Sequence, residues 1–413
     1  VNPNGKKNTL TRRSQRLLRI PHSRNIILVL AIANAANFID RQLIFTLFPL
    51  IKDEFLPSDF QLGLLGTIFM LTHSIATVPF GILTDRWYKR KLITLGMVFW
   101  SFFTFVSGFA QRLVHLIVAR GLIGAGGATF EPAAISLLTE RVDESHRGRA
   151  IGFLRGGMWI GGCLGLMLGG ILGASVGWRN TFFIAALPGF MLALFTWNIY
   201  EPPSLPPSAK TKRKTFDWNF LSIMIILAGV FANFTAGAYV AWIPTFLVRY
   251  DYFDLPTAAF LVGGPTIICG LLGVFVGCTI ADKLFQKIRY GRILTVGIGM
   301  TVSTPFVLLG FNAPNSTVLV AAIALSAFFM AWYHGPIMAA LMDCVSPSAR
   351  GAMTGIYIFF IHMLGDMPSP AVLGWLSDHL NLRFALSIFV LGNVLCALCF
   401  FIAIVVGFKK KSS

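Results

Sequence analysis

The chain has 413 residues, of which 55% are apolar and only 12% charged, with a mean hydropathy of +0.72. A soluble domain carries roughly 25% charged residues, so there is too little polar surface here to coat a water-soluble globule. The 34 Lys and Arg against 17 Asp and Glu give a formal charge of +17. The apolar fraction demands a lipid solvent, which makes nucleic acid the weaker explanation of that excess.

Residues 1–24 form a basic, polar tail without the apolar stretch of a signal peptide. A spanning helix needs about 20 mostly apolar residues. Six such stretches follow the tail, at about 25–51, 58–84, 91–110, 113–139, 149–175 and 179–200. Residues 201–219, with four prolines and four Lys or Arg, cannot span and read as a solvated linker. Six more stretches lie at about 220–249, 257–281, 290–311, 316–342, 351–377 and 384–408. The expected fold is therefore an all-α integral membrane protein with twelve transmembrane helices in two pseudo-symmetric six-helix bundles. The bundles are 25–200 and 220–408, and a short tail, 409–413, closes the chain.

The halves repeat. Arg147-Gly148 with Gly152 recurs 203 residues later as Arg350-Gly351 with Gly355, while Gly170 maps to Gly374 and Arg179 to Arg383 at a separation of 204. Asp85-Arg86 has a counterpart at Asp282-Lys283, 197 residues on. Agreement among separate sites at similar separations argues for a duplicated bundle. Twenty-six basic residues fall on the two tails, the linker and the loops after spans 2, 4, 8 and 10, against five on the alternate loops. The positive-inside rule then puts both termini and the linker in the cytoplasm.

The other three basic residues, Arg41, Arg120 and Arg155, lie inside spans. A charge at mid-membrane costs roughly 2.5–3.5 kcal/mol on insertion scales, so it faces the protein interior and needs a partner. Asn34, Asn37 and Arg41 share one face of span 1, with Asp40 about 100° round. Asp40 is expected to pair with Arg120 or Arg41. Protonating Asp40 or Glu131 would break such a pair, which is a route to proton coupling.

The second half has few ionisable groups in its spans, His334, His362 and Asp366, among many aromatics that include Tyr239, Trp242, Tyr333 and Tyr357. Asp366 stands between Gly365 and Pro368, where a broken helix is expected. One polar, arginine-bearing wall facing one apolar wall suits an amphiphile with an anionic head. The candidate binding set is Asn37, Arg41, Arg120, Tyr239, Trp242, Tyr333, His334, Tyr357, His362 and Asp366. The six cysteines read as packed thiols without metal spacing. No nucleophile, metalloprotease or phosphate-loop motif supports catalysis, and no cofactor is expected beyond a proton gradient.

Twelve spans, a central linker and two parallel halves resemble the major facilitator superfamily of secondary transporters. Residues 81–90, GILTDRWYKR, resemble its signature between spans 2 and 3, and Arg120 opens a Gly-rich span 4 as the superfamily often has. The resemblance implies alternating access, with gating at Asp85, Arg86, Arg90 and Arg149 and at Asp282 in the second half. Two stretches are similar to the Spinster branch, proposed carriers of lysolipids and sphingolipid-type amphiphiles. They are Asn37-Phe38-Ile39-Asp40-Arg41, shared with organic-anion symporters, and the longer run from His362 through Gly365-Asp366 and Ser369-Pro370 to Gly374 and Ser377-Asp378. Span 5 resembles an antiporter motif, with Leu166 in place of its proline.

One position departs from both branches. Gly127 stands where they place a Glu, and a carboxylate comes one turn later at Glu131. The resemblance implies a monomeric transporter in the plasma or inner membrane, proton-coupled, with a small-molecule amphiphile as its partner and no nucleic acid. A symporter of small organic anions is the first rival. A passive lipid scramblase or a membrane-embedded lipid-modifying enzyme is the rival from another class.

Overall fold

The computed structural model describes residues 5–84, 86–199, 201, 219–250, 252–345 and 350–412. Helices dominate, and no strand occurs among the described residues. In chain order they are α1 (Gly5–Phe55), α2 (Asp59–Thr84), α3 (Lys89–Ser107) and α4 (Leu113–Arg141). The stretch Glu144–Trp197 is divided at Gly177 into α5 (144–176) and α6 (178–197). The second half holds α7 (Phe220–Arg249), α8 (Leu255–Lys287), α9 (Gly291–Phe311), α10 (Ser316–Asp343), α11 (Met353–Leu380) and α12 (Leu382–Val406).

Ten stretches among the described residues are long and apolar enough to cross a membrane. The division at Gly177 and the helix α3, whose first turn carries Lys89, Arg90 and Lys91, supply the other two of the twelve expected. Polar caps mark several starts. Ser58 and Gln61 exchange side-chain and backbone hydrogen bonds before α2, Asn219 and Ser222 do so before α7, and Asn381 accepts from the Phe384 N–H at α12. Large apolar side chains such as Phe275, Leu194 and Phe195 stand exposed along the spans, as a lipid solvent requires.

The duplication extends to backbone geometry. Gly177 (φ 81°, ψ 160°) and Asn381 (φ 99°, ψ 156°), 204 residues apart, turn the chain in the same way between the fifth and sixth helix of each half. The α4 helix is interrupted at Ala128–Thr129 and α10 by a short 3-10 turn, Ala331–Tyr333, 203 residues on. The ion pair of Lys89 with Glu140, at 2.9 Å, recurs as that of Arg292 with Asp343 at the same separation.

Within the first half, α1 and α5 run parallel and close. Gly157, Gly161, Gly165 and Gly169 of α5 face Ala31, Ala35, Ile39 and Leu43 of α1, a constant register in which an added Cβ would meet backbone. Small residues every fourth position let the two backbones approach. Among the described residues the halves pack together most closely toward one end, that of the α1–α2, α5–α6, α7–α8 and α11–α12 loops. There Gly63 of α2 lies against Pro370 and Ala371 of α11, and Gly170 of α5 against Leu255 and Ala259 of α8. The core of the second half runs on into Phe48, Leu62, Trp178 and Phe182 at this closed end, whereas the rest of the first half, around Phe69, Trp100 and Phe130, forms a separate core.

Candidate functional site

A group of charged side chains sits at mid-span, where the halves begin to part. Arg120 of α4 is 0% exposed and reaches α1, donating from Nη1 to the Asp40 carbonyl and from Nη2 to the Arg41 carbonyl, both at 3.2 Å. The carboxylate of Asp40 turns instead to α3 and accepts from the Thr104 hydroxyl at 2.5 Å. The expected side-chain pair of Asp40 with Arg120 or Arg41 is thus not made directly. Asp40 lies about 100° round the helix from Arg41, as its spacing implied, and that face looks toward Thr104 of α3.

Arg41 has a different partner, on the other half. Its Nη2 stands 3.9 Å from Oδ2 of Asp366, and the same oxygen is 2.7 Å from Nδ1 of His362. The Arg41 and Asp366 side chains keep 18% and 15% of their surface exposed, enough for an incoming ligand to reach. The Phe69 ring lies between the arginines, 4.6 Å from the Arg120 guanidinium and 5.8 Å from that of Arg41, and Phe38 flanks Arg41 at 5.2 Å. Aromatic faces stabilise cations cheaply where water is scarce. The expected break in α11 is a π-helical turn, Ile361–Asp366, in which the Met367 N–H reaches back to the His362 carbonyl at 3.0 Å. Such turns displace side chains from the regular helical faces and recur at functional sites; this one carries both His362 and Asp366.

The remaining candidates divide. Asn37 faces Gly127, where an added Cβ would come within 3.1 Å of Asn37 Nδ2. A Glu at position 127 would therefore displace Asn37. Glu131 pairs with Arg155 at 3.0 Å, with 55% and 50% of the two side chains exposed. His334 is exposed, tilted against Tyr333 at 4.1 Å and edge-on to Trp159 of α5 at 5.3 Å. Tyr333 and Tyr357 are buried beside α7, against Asn233 and Gly229. Tyr239 and Trp242 lie deeper in the closed end, donating to the carbonyls of Leu386 and Pro370. In this conformation those two hold helices together and do not join the charged group.

At the opposite, open end, Asp85 lies outside the described residues. Arg86 and Arg149 are exposed, while Arg90 donates to the Ile199 carbonyl at 3.2 Å. Asp282 is exposed and stands 3.4 Å from Arg292.

A second cluster escaped the sequence reading. Asp59, at the start of α2, is bound by both Nη atoms of Arg249 at 2.5 and 2.8 Å, by Lys52, and by the Ser377 hydroxyl at 2.6 Å. Asp378 of α11 caps α2 in turn, accepting from the N–H groups of Asp59 and Phe60 at 2.8 and 2.9 Å. Five residues from α1, α2, α7 and α11 thus clasp the two halves at the closed end. Two signals in the sequence mark the place, the Ser58–Gln61 capping box and the Ser377-Asp378 pair.

The geometry is that of a two-bundle membrane protein closed at one end around an internal charged group, and comparisons with known proteins agree. Over 377 residues the chain is 26% identical to the sphingosine-1-phosphate transporter SPNS2 of Xenopus tropicalis, covering 85% of this chain and 73% of that protein. It is also 26% identical over 414 residues to the "Probable L-galactonate transporter" of Escherichia coli K12, covering 94% and 90%. A crystal structure of a bacterial homologue of the human lysosomal transporter Spinster, inward-facing and occupied, superposes with a TM-score of 0.84 at 22% identity, covering 93% of this chain and 97% of that one. The sequence pattern of the Major Facilitator Superfamily matches residues 30–370, and the chain belongs to that superfamily.

Proposed function

We infer that this transporter carries an amphiphilic, anionic, lysolipid-like substrate by alternating access, with its movement coupled to protons. The observation that carries the reading is the link between Arg41 and Asp366 across the two halves. A guanidinium held by a carboxylate is released when that carboxylate takes a proton, because the neutral acid no longer attracts it. Arg41, with Arg120 behind it, is then free to receive the anionic head of a substrate. Proton and anion binding reinforce each other at this point, so acid favours the loaded state.

Asp40 and Glu131 serve as further proton-binding groups in this reading. Asp40 bears on the position of α1 through Thr104 and Arg120, and Glu131 answers to Arg155 at the cavity wall. The apolar tail runs along the second half, where Phe328, Phe329 and Trp332 pack together and the Tyr333 and His334 rings lie 4.1 Å apart. The closed end faces outward and the open end, with both termini and the linker, faces the cytoplasm of a plasma or inner membrane. This orientation is supported by the distribution of Lys and Arg. The protein acts as a monomer.

The relative that transports sphingosine-1-phosphate favours a lipid-like substrate, and the L-galactonate relative favours the rival, a symporter of small organic anions. A cryo-EM structure of the purified protein with lysophosphatidic acid tests the assignment. Elongated density with its head at Arg41 and its tail against the second half is expected. Compact density between Arg41 and Arg120, appearing only with a sugar acid, overturns it.

A further inference from the structure

The open end of the second half contains a half-open cavity of about 760 Å3, bordered by the ends of α7, α9, α10 and α12 and by the exposed Arg289 and Arg350. Its walls are largely apolar, from Phe220, Leu221 and Ile225 on one side to Ile293, Ala403 and Val406 on the other. Three guanidiniums line it, those of Arg289, Arg292 and Arg350. The carboxylate on the lining, Asp343, is engaged by Arg292, which leaves Arg289 and Arg350 without an acidic partner among the described residues. Arg292 Nε is also buried without a hydrogen-bond partner.

The first half contains the matching place, filled differently. Lys89 and Glu140 correspond to Arg292 and Asp343. There the buried carboxylate of Glu201 accepts from the N–H groups of Lys89 and Arg90 at 3.0 and 2.9 Å and lies 3.9 Å from Lys89 Nζ. The positions that correspond to Glu201 in the second half are Ile404 and Val405. Asp282, 3.4 Å from Arg292, gives that residue a second carboxylate from α8, but the place that Glu201 fills in the first half holds apolar residues here, and a cavity with greasy walls beside Arg289 and Arg350 stands there instead.

We propose that this cavity binds the anionic head of a phospholipid, whose glycerol and upper acyl segments lie against the apolar wall. A free anion would satisfy the arginines but leave that wall exposed to water. A zwitterionic lipid would bring an ammonium group against the two guanidiniums, of Arg289 and Arg350, that have no acidic partner among the described residues. Basic pockets at the ends of membrane helices recognise anionic head groups by this combination of charge and apolar contact. The site lies in the base of the second bundle, apart from the Arg41–Asp366 group, and rests on the repeat rather than on any choice of transported substrate.

Native mass spectrometry of the full chain, with dioleoylphosphatidylglycerol or dioleoylphosphatidylcholine added at equal concentration, tests this. One phosphatidylglycerol is expected to be retained per chain, at least tenfold in preference to phosphatidylcholine, and millimolar inorganic phosphate should not displace it. Arg289→Gln with Arg350→Gln should abolish the preference by about tenfold or more. Arg289→Lys with Arg350→Lys should keep most of it, which separates loss of charge from loss of fold. Arg86→Gln with Arg149→Gln, exposed positions of the first half, should leave it unchanged. Equal retention of the two lipids, a preference untouched by the Arg289/Arg350 glutamine pair, or displacement by phosphate alone would each overturn the assignment.

Discussion

Nη2 of Arg41 on α1 stands 3.9 Å from Oδ2 of Asp366 on α11, so one ion pair joins the two bundles at mid-span. The same carboxylate is held by His362, which ties its charge to the π-helical turn. Replacing Asp366 by Asn keeps the shape and removes the charge. Asp366→Asn leaves Arg41 without its partner across the halves, so the variant should bind an anionic substrate more tightly than the wild type and with a flatter dependence on pH. Binding measured by microscale thermophoresis across a pH series checks this, and an unaltered pH profile in the variant would remove Asp366 from the coupling.

Asp40 plays a different part from the one its neighbour plays. It accepts from Thr104 on α3, while its own carbonyl anchors Arg120 of α4. Asp40→Asn should leave a folded, monodisperse protein and reduce pH-driven transport at least tenfold. Thr104→Val, which removes the donor alone, should produce a smaller loss in the same proteoliposome assay.

Glu131 and Arg155 are about half exposed and pair at 3.0 Å, so solvent screening keeps their attraction to about 1 kcal/mol or less. Glu131→Gln is therefore expected to change transport by no more than a few-fold, well below the effect of Asp40→Asn. An equal loss in the two variants would show that Glu131 has taken over the role of the carboxylate missing at Gly127.

At the closed end, Asp59 receives charge-assisted hydrogen bonds from Arg249 and a further bond from Ser377. Each hydrogen bond to a charged group contributes about 1.5–3 kcal/mol, so losing one net interaction shifts a two-state equilibrium by about 10–150-fold. Arg249→Gln should move the population toward opening at this end. Double electron–electron resonance between labels at Phe60 and Trp375, exposed on α2 and α11, reads the separation directly in a background without native cysteines. The distance distribution should lengthen in Arg249→Gln.

The α1–α5 seam gives a stability test. A Cβ at Gly161 would lie 2.7 Å from the Ala35 Cα, a contact that neither backbone can relieve without moving. Gly161→Ala should cost about 1–3 kcal/mol and lower the thermal midpoint in detergent, whereas Gly156→Ala, where the space is open, should leave it unchanged.

Much of this architecture was legible in the sequence because membrane helices announce themselves locally, by apolar length and by the side on which Lys and Arg accumulate. The repeat was legible too, and its separation of 203 to 204 residues reappears in the turns at Gly177 and Asn381 and in the Lys89–Glu140 and Arg292–Asp343 pairs. Partner choice was not. Asp59 meets Arg249 and Asp378 across 190 and 319 positions, and no local pattern encodes which helices cross at one end of a bundle. The expected pairing of Asp40 failed for a related reason. Helical periodicity places a residue on a face, but the direction in which that face looks depends on how α1 sits between α3, α4 and α11.

Transport of an amphiphilic anion driven by protons is read out by uptake into proteoliposomes under an imposed pH gradient, with a lysophospholipid panel and a sugar-acid panel followed by mass spectrometry. At least one lysophospholipid should move unaltered, collapse of the gradient should abolish its accumulation, and Asp366→Asn should uncouple the two. Movement of sugar acids alone, lipid movement indifferent to the gradient, or chemically altered lipid would contradict it.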